Sequence, residues 1–168
     1  MYYQTHRPGT LAHTAMTLML YTGAARVDAV KLGWGNVSGD RIRYRRTKTE
    51  GPDSILIDIP IHPDLQAVLN TCSRTDFTFL ATSTGKSRSP NGFGNAMRKW
   101  CDAAGLPKCT SHGLRKAIAR RLAEAGASPH EIMAVTGHAT LAEVIRYTQD
   151  ANRPNLADVA IGKIPDRN

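Results

Sequence analysis

The sequence predicts a mainly α-helical domain that contains one small antiparallel β-sheet. Most of the chain consists of apolar residues at helical spacing, bounded by residues that begin or end helices. One region differs, because β-branched and alternating residues predict two strands, over 41–47 and 54–59. The cluster Glu50-Gly51-Pro52-Asp53 between them is typical of a turn, so the two strands are predicted to form a hairpin.

In the N-terminal half, apolar content predicts the helices, and glycine and proline mark their ends. Residues 10–21 are rich in apolar side chains, so a buried helix is predicted there. A shorter helical piece over 27–32 ends at Gly33. After the hairpin, Pro63 suits the first turn of a helix over 64–69.

Four helices are predicted in the C-terminal half, each from the residues that cap its start. Ser89-Pro90-Asn91 opens the first, and Ser111 is the predicted N-cap of the second. The runs Ser128-Pro129-His130-Glu131 and Thr140-Leu141-Ala142-Glu143 are capping boxes that start the third and fourth. The second helix is expected to turn one apolar stripe toward the core, consisting of Leu114, Ile118, Leu122 and Ala125.

Length and charge restrict the class of protein and its partner. The chain has 168 residues, enough for one domain with its own core. Its 22 Lys and Arg residues outnumber 14 Asp and Glu residues, which gives a net charge of +8. Such an excess favours a polyanionic partner over an acidic-substrate or neutral one, although a merely soluble basic protein shares the same composition.

The cysteines and the apolar segments bear on metal sites, disulfides and the cellular compartment. Cys72, Cys101 and Cys109 are odd in number and form no C-x-x-C pair, so neither a zinc site nor a disulfide framework is predicted. The longest apolar stretch, around residues 18–20, is too short to span a bilayer, and the N-terminus lacks a signal-peptide pattern. We therefore predict a cytoplasmic protein.

The last third of the chain carries polar residues that a helical bundle does not need for folding. His112-Gly113-Leu114-Arg115 comes first, Gly137-His138 follows, and Tyr147 lies nine residues after His138. Each element alone is weak evidence, since lone histidines are usually structural and a helical tyrosine often packs with its hydroxyl at the surface. Three elements in this order and spacing favour a common chemical site.

This ordered set resembles the active site of tyrosine recombinases, the phage integrase family, and the resemblance extends from Thr22-Gly23 to Tyr147. It implies the catalytic-domain fold of that family and site-specific DNA recombination through a 3′-phosphotyrosine intermediate. A protein nucleophile is needed there because it conserves the energy of the broken phosphodiester. The bond energy is then held in the phosphotyrosine, so the family needs no metal and no nucleotide.

The resemblance also implies a role for each residue of the site. Tyr147 is the candidate nucleophile, and Arg115 binds the attacked phosphate through its planar guanidinium. His112 lies beside the nucleophile and the scissile phosphate, whereas His138 donates a hydrogen bond to a phosphate oxygen. Lys48, just before the hairpin turn, matches the lysine that acts as general acid toward the departing 5′ oxygen.

One expected residue is missing. The family carries a second phosphate-binding arginine two residues after a Thr-Gly pair, and Ala25 occupies that position. The following Asp28 fits the family spacing only in this register, so Arg26 does not align with the missing group. Either a natural loss or a deliberate substitution explains Ala25, and the otherwise complete pattern favours an engineered or recently inactivated enzyme. We expect impaired cleavage, because losing such a contact costs on the order of 10³ or more in rate.

The resemblance also predicts contacts and assembly. Arg26, Lys116 and Arg120 are candidate contacts to double-stranded DNA, and the family works as a tetramer on two duplexes. Family members usually carry an N-terminal core-binding domain, which is not visible, so residues 1–168 are expected to form a single catalytic domain. Residues 155–161 are expected to form either a segment that docks on a neighbouring subunit or an ordinary terminal helix.

Two alternative functions use parts of the same pattern. Residues 128–148 also fit a helix-turn-helix of a DNA-binding regulator, although a regulator needs neither Tyr147 nor Lys48. A type IB topoisomerase uses nearly the same residues but relaxes supercoils without pairing two sites. The sequence specifies neither the target DNA nor the direction of recombination.

Overall fold

The computed structural model describes residues 1–47, 54–149 and 153–164. These residues form helices that surround one small sheet, so the predicted fold class is confirmed. The elements in chain order are α1 (Tyr2–Thr5), α2 (Leu11–Thr22), α3 (Arg26–Ala29), a 3-10 turn (Trp34–Asn36), β1 (Val37–Ser38), β2 (Arg41–Arg45), β3 (Leu56–Pro60), α4 (Pro63–Leu69), α5 (Pro90–Ala103), α6 (Ser111–Glu124), α7 (Pro129–Thr136), α8 (Leu141–Gln149) and α9 (Arg153–Ile161).

The sheet is antiparallel, with strand order β1-β2-β3. Ile42 of β2 pairs with Ile59 of β3, and Tyr44 pairs with Ile57, so these four buried side chains share the face that packs on the core. The strands are shorter than predicted, and the two-residue strand β1 was not anticipated. The predicted turn cluster falls in 48–53, outside the described residues.

Helix α2 lies at the centre of the domain because its sequence is apolar nearly all round. Leu18 and Met19 are fully buried, and the helix packs against α4 and α6. It ends at Gly23, whose left-handed backbone (φ 61°) is cheap only for glycine. A Cβ at that position would come within 3.4 Å of side chains from α6 and α7. The C-terminal end of α2 is therefore packed tightly against α6, which carries His112 and Arg115, and against the end of α7, which precedes His138.

Helix α6 begins and packs differently from the prediction. Thr110, not Ser111, is the N-cap, since its hydroxyl accepts a hydrogen bond from the backbone N–H of Gly113 at 3.3 Å. The core stripe is also rotated, because Ala125 is exposed while Ser111 and Arg115 are buried. Ser111 thus lies on the inner face, and the motif arginine belongs to that face too.

The capping box at Ser128 is confirmed, whereas the next one differs. The Glu131 carboxylate accepts from the backbone N–H of Ser128 at 2.6 Å, as the motif requires. The Glu143 carboxylate instead accepts from the backbone N–H of Ala139 at 3.2 Å, one residue before the expected partner, Thr140. Helix α8 still begins at Leu141 and carries Tyr147, as predicted.

The C-terminal helix α9 spans Arg153–Ile161, which contains the predicted segment over 155–161. Its described side chains, from residue 157 onward, are exposed. Within the part of the chain that the structure describes, no helix is both long and apolar enough to cross a membrane.

Candidate active site

A cavity of about 460 Å³ lies where the start of α3 meets the start of α6. We call it the Arg115 cavity. It is open to solvent on one side, and the motif residues His112 and Arg115 line it together with Ala25. The described residues that line it are Ala25, Arg26, Val27, Thr110, Ser111, His112 and Arg115.

Arg115 is held rigidly, yet part of its guanidinium is left without a partner. Only 6% of the residue is exposed, and its Nη1 donates a hydrogen bond to the carbonyl oxygen of Gly23 at 2.7 Å. Its Nη2 is buried and has no hydrogen-bond partner among the described residues. Burial lowers the pKa of Arg115, and repulsion from Arg46 lowers it further. An unpaired buried donor is costly, so an anion that binds Nη2 gains both charge and hydrogen-bond energy.

A second buried arginine, Arg46, was not singled out in the sequence. Its Nη1 donates to the carbonyl oxygen of Gly137, the left-handed residue that ends α7. A Cβ on Gly137 would lie 2.6 Å from Arg46 Cδ and 2.6 Å from Ile57 Cδ1, so only glycine fits. The sequence does contain a signal for Arg46. Side chains at every second position of a strand share one face, so Arg46 is predicted to lie on the same inward face as Ile42 and Tyr44.

Asp28 is a buried acidic residue close enough to Arg115 to influence its pKa. It is 2% exposed, and its Oδ1 accepts a hydrogen bond from the backbone N–H of Thr47 at 2.8 Å. Its Oδ2 has no hydrogen-bond partner among the described residues. Burial raises the pKa of Tyr44, and Asp28 raises it further. We call Asp28, Tyr44, Arg46 and Arg115 the buried charge cluster. Two cations and one anion give it an excess of positive charge.

His138 and Tyr147 are neighbours at the edge of this cluster. Their ring centroids are 5.8 Å apart, and the rings are tilted by 42°. Tyr147 also packs on the small core formed by α6, α7 and α8, which includes Ala119 and Val144. This contact fixes the side of α8 that faces the cluster, and the hydroxyl of Tyr147 raises the pKa of Arg115 electrostatically.

The environment of His138 keeps its imidazole neutral. Burial lowers the pKa of His138 to about 4, and the positive charge of Arg115 is the next largest cause. At neutral pH the ring is therefore uncharged and carries one N–H and one lone pair. Such a ring can donate one hydrogen bond and accept another.

The lowered pKa of His138 predicts a pH-dependent stability. Above pH 6.5 both folded and unfolded states are neutral at this residue, but between 6.5 and about 4 only the unfolded state binds a proton. Stability should therefore fall as the pH drops through this window. At pH 5 we expect a loss of about 1 kcal/mol, discounted for solvent screening at this half-buried group. Urea unfolding of the parent and His138→Gln should show the difference, and an equal loss in both proteins would contradict it.

The remaining predicted residues lie around the Arg115 cavity or outside the described chain. His112 is exposed at the cavity rim, and Lys116 and Arg120 follow it on the same stripe of α6. Arg120 Nε forms an ion pair with Glu124 Oε1 at 2.7 Å. Lys48 falls in 48–53, outside the described residues.

Ala25 and Arg26 both line the Arg115 cavity, but their other contacts differ. Ala25 is the N-cap residue of α3 and lines the Arg115 cavity. The guanidinium of Arg26 instead lies against α5, where Nη2 is 3.4 Å from Asn91 Oδ1. A Cβ on Gly94 would lie 2.5 Å from Arg26 Nη1, so the glycine makes room for it. Arg26 therefore packs on α5 instead of pairing with Arg115.

A second cavity, of about 240 Å³, adjoins the first and shares Arg26, Thr110 and Ser111 with it. We call it the Arg26 cavity. Arg98 of α5 also lines it and is anchored by a 2.7 Å hydrogen bond from Nη1 to the carbonyl oxygen of Pro107. Among the residues that the structure describes, no carboxylate lines either cavity, so both favour anions. Among the described residues, no group of three or more His, Cys, Asp or Glu side chains is placed to hold a metal ion.

Comparison with known proteins gives a family match and several similar folds. The family model described as "Phage integrase family" matches residues 2–153. No curated protein matches the chain significantly by sequence.

Solved structures resemble the chain over most of its length. A lambda integrase dimer bound to a COC′ core site has a TM-score of 0.72 at 24% identity, over 90% of this chain and 57% of that one. A lambda integrase tetramer bound to a Holliday junction has a TM-score of 0.72 at 21% identity, over 90% of this chain and 46% of that one. The Tn1549 transposon integrase in complex with a circular intermediate DNA has a TM-score of 0.71 at 16% identity, over 90% of this chain and 58% of that one. The chain thus spans about half the length of these proteins, and at such identities the likeness shows the fold alone.

Proposed function

The chain belongs to the phage integrase family, and we propose that residues 1–168 are the catalytic domain of a site-specific tyrosine recombinase that cuts and rejoins DNA. One observation supports this proposal most directly. The Tyr147 ring lies beside the neutral His138, next to a buried Arg115 whose Nη2 lacks a partner. A candidate nucleophile, an imidazole and a guanidinium therefore come together from residues 147, 138 and 115, which a helical fold alone does not require.

In the proposed reaction, the hydroxyl oxygen of Tyr147 attacks the scissile phosphorus. A bond forms between phosphorus and the tyrosine oxygen, and the bond to the 5′ oxygen breaks. Arg115 Nη2 would bind a non-bridging oxygen whose charge grows in the transition state, and His112 at the cavity rim would bind near the same phosphate. Lys48 is proposed to protonate the departing 5′ oxygen. Rejoining is the same sequence in reverse, with a 5′ hydroxyl as the nucleophile.

We propose that Ala25 impairs this chain. The attacked phosphate would then lack a guanidinium from position 25, and Arg26, although it lines the same cavity, has its guanidinium against α5. Binding of DNA should survive this loss better than cleavage does, since many phosphates contribute to binding but only one is cut.

The geometry of the turn between α7 and α8 argues against the helix-turn-helix alternative. In that interpretation α8 would face the DNA and the turn would be a simple connection. Here the Gly137 carbonyl binds the buried Arg46, and Tyr147 packs against α6 and α7. The turn and the inner face of α8 therefore belong to the interior of the domain.

We propose that the partner is double-stranded DNA and that the full-length protein works as a tetramer on two duplexes. The net charge of +8 and the two carboxylate-free cavities support a DNA partner. The lambda integrase tetramer on a Holliday junction is the similar structure that supports the assembly.

DNA affinity should fall steeply with salt, and Arg98 should contribute to that dependence. If Arg98 in the Arg26 cavity binds one backbone phosphate, Arg98→Ala should reduce the slope of log K against log salt by about 0.9. The adjacent Lys99 has the same charge, is exposed and lines neither cavity, so Lys99→Ala is the matched control. Fluorescence anisotropy with a random duplex measures both. Equal effects of the two substitutions would contradict a specific phosphate contact at the Arg26 cavity.

The experiment that tests the function traps the covalent intermediate. A duplex nicked close to the exchange site loses a short fragment after cleavage, so rejoining fails and the adduct accumulates. Candidate sites come from the DNA that flanks the gene in its source genome. Because Ala25 is proposed to impair cleavage, the assay uses Ala25→Arg. Peptide mapping should then find the nucleotide on Tyr147, and Ala25→Arg with Tyr147→Phe should give no adduct. Recombination between two sites distinguishes a recombinase from a topoisomerase, which would only relax a supercoiled plasmid.

A further inference from the structure

Arg46, the residue after β2, reaches the turn between α7 and α8 from the interior of the domain. We call residues 137–140 the His138 turn. Only 8% of Arg46 is exposed, and its Nη1 donates a hydrogen bond to the carbonyl oxygen of Gly137, the residue immediately before His138. Arg46 is not among the described residues that line the Arg115 cavity or the Arg26 cavity. Its guanidinium is therefore placed to act on the turn.

The contact joins a cation to the C-terminal end of a helix. Gly137 ends α7 in the left-handed conformation, with φ 64°, and its N–H donates to the carbonyl oxygen of Met133 at 2.6 Å. The partial negative charge at this end of a helix attracts a guanidinium, and a charged donor forms a stronger hydrogen bond than a neutral one. Arg46 therefore stabilises the point at which the chain leaves α7 and turns toward His138.

Close packing against the sheet fixes the His138 turn. The aliphatic part of Arg46 and the side chain of Ile57 in β3 enclose Gly137, since a Cβ there would lie 2.6 Å from each. Helix α7 also packs against β3. The next residue, Thr47, is held as well, because its backbone N–H donates to Asp28 Oδ1 at 2.8 Å. Two successive residues at the end of β2 thus anchor the His138 turn and α3 to one sheet.

Arg46 also acts on His138 through its charge. Burial is the largest cause of the lowered pKa of His138, and the positive charge of Arg115 follows. The charges of Arg46 and His112 lower it further, whereas Glu143 of α8 raises it. The neutral imidazole keeps one N–H, which is what a hydrogen bond to a phosphate oxygen requires. Removal of Arg46 should therefore change both the position of the turn and the pKa of His138.

We propose that Arg46 is a positioning residue that holds the His138 turn on the sheet, so that the imidazole of His138 can donate a hydrogen bond to the phosphate bound by Arg115. This inference rests on the proposed function. In this assignment Arg46 touches neither the DNA nor the reacting atoms, and its effect on cleavage passes through His138. Loss of Arg46 should therefore slow cleavage in the parent protein but cost little once His138 itself has been replaced.

Nuclear magnetic resonance measures the His138 turn without DNA. Arg46→Met keeps an unbranched aliphatic side chain but removes the guanidinium. In this variant we expect the backbone amide signals of Gly137 and His138 to shift and the pKa of His138 to rise from about 4. The ring signals of His138 are assigned by their loss in His138→Gln. Arg43→Met is the matched control, because Arg43 lies on β2 but pairs with Asp58 on the exposed face.

Arg46→Lys separates the charge from the geometry of the contact. The ammonium group keeps the positive charge but lacks the planar set of donors. The amide signals of Gly137 and His138 should therefore shift while the pKa of His138 stays low. Unchanged amide signals in Arg46→Met, or equal changes in Arg43→Met, would overturn the proposal. If Arg46→Met does not fold, the amide signals of Arg46→Lys decide in its place.

A double-mutant cycle tests whether Arg46 acts through His138. In an Ala25→Arg background, Arg46→Met should slow single-turnover adduct formation by about tenfold or more, because a misplaced group loses most of its effect. Arg43→Met, on the exposed face, should change the rate by less than about twofold. Adding Arg46→Met to His138→Gln should also cost less than about twofold, since the group that Arg46 positions is already gone.

The outcomes of the cycle separate this inference from the proposed function. If Arg46→Met slows the His138→Gln protein as much as it slows the protein with His138, the two residues act independently and the positioning role is refuted. Arg46→Lys takes the place of Arg46→Met in the cycle if the latter does not fold. Absence of any adduct in the Ala25→Arg protein, together with the expected amide shifts, would instead count against the proposed function.

Discussion

Replacing Ala25 with arginine should increase the rate of covalent DNA cleavage by on the order of 10³ or more. Ala25 lines the same cavity as Arg115, so an arginine at position 25 would share that cavity with Arg115. Two guanidinium groups could then bind the oxygens of one phosphate as its charge grows. Asp28, one helical turn after position 25, adds a negative charge that helps to accommodate the new cation.

The nicked duplex assay compares Ala25→Arg with control variants. Ala25→Arg with Tyr147→Phe should give no adduct, which shows that Tyr147 is the attached residue. Ala25→Lys should recover less than Ala25→Arg, because an ammonium group lacks the planar pair of donors. If the parent protein cleaves as well as Ala25→Arg and loses that activity on Arg26→Ala, then Arg26 supplies the missing charge and the register is wrong by one.

Replacing Asp28 with asparagine should destabilise the domain by about 2 kcal/mol, because it removes a buried negative charge that favours the Arg115 cation and weakens a charge-assisted hydrogen bond from Thr47. Asparagine keeps the size and the Oδ1 that accepts from Thr47, so the substitution removes little except the charge. Arg46 and Arg115 would then repel one another with one negative charge fewer beside Arg115. The free energy of unfolding from urea titration, followed by circular dichroism, measures the loss.

A second aspartate offers the matched control. Asp58 forms ion pairs with Arg41 and Arg43 on the solvent-facing side of the sheet. Such pairs contribute little because water screens them, so Asp58→Asn should cost much less than Asp28→Asn. Similar losses for the two variants would mean that the buried charge cluster does not depend on its carboxylate.

Local signals in the sequence predicted most of the elements, and the exceptions have physical causes. Proline, glycine and capping residues act within a few residues of themselves, which is why the helix that starts at Pro129 and its capping box were predicted. The start of α6 was misplaced by one residue because Thr110 and Ser111 are both good caps, and burial of Ser111 selected Thr110. The one-turn helix α1 is too short to leave a periodic signal.

The sequence by itself determined the class of chemistry, because the order and spacing of His112, Arg115, His138 and Tyr147 are properties of the chain. Only the tertiary structure decided how those residues are held. Arg115 binds the carbonyl of Gly23, 92 residues away in sequence, and Arg46 binds that of Gly137, 91 residues away. Such contacts leave no local pattern, since each arginine resembles an ordinary surface residue until the fold buries it. Burial then makes every unpaired donor and charge costly, and this cost gives Arg115 its affinity for an anion.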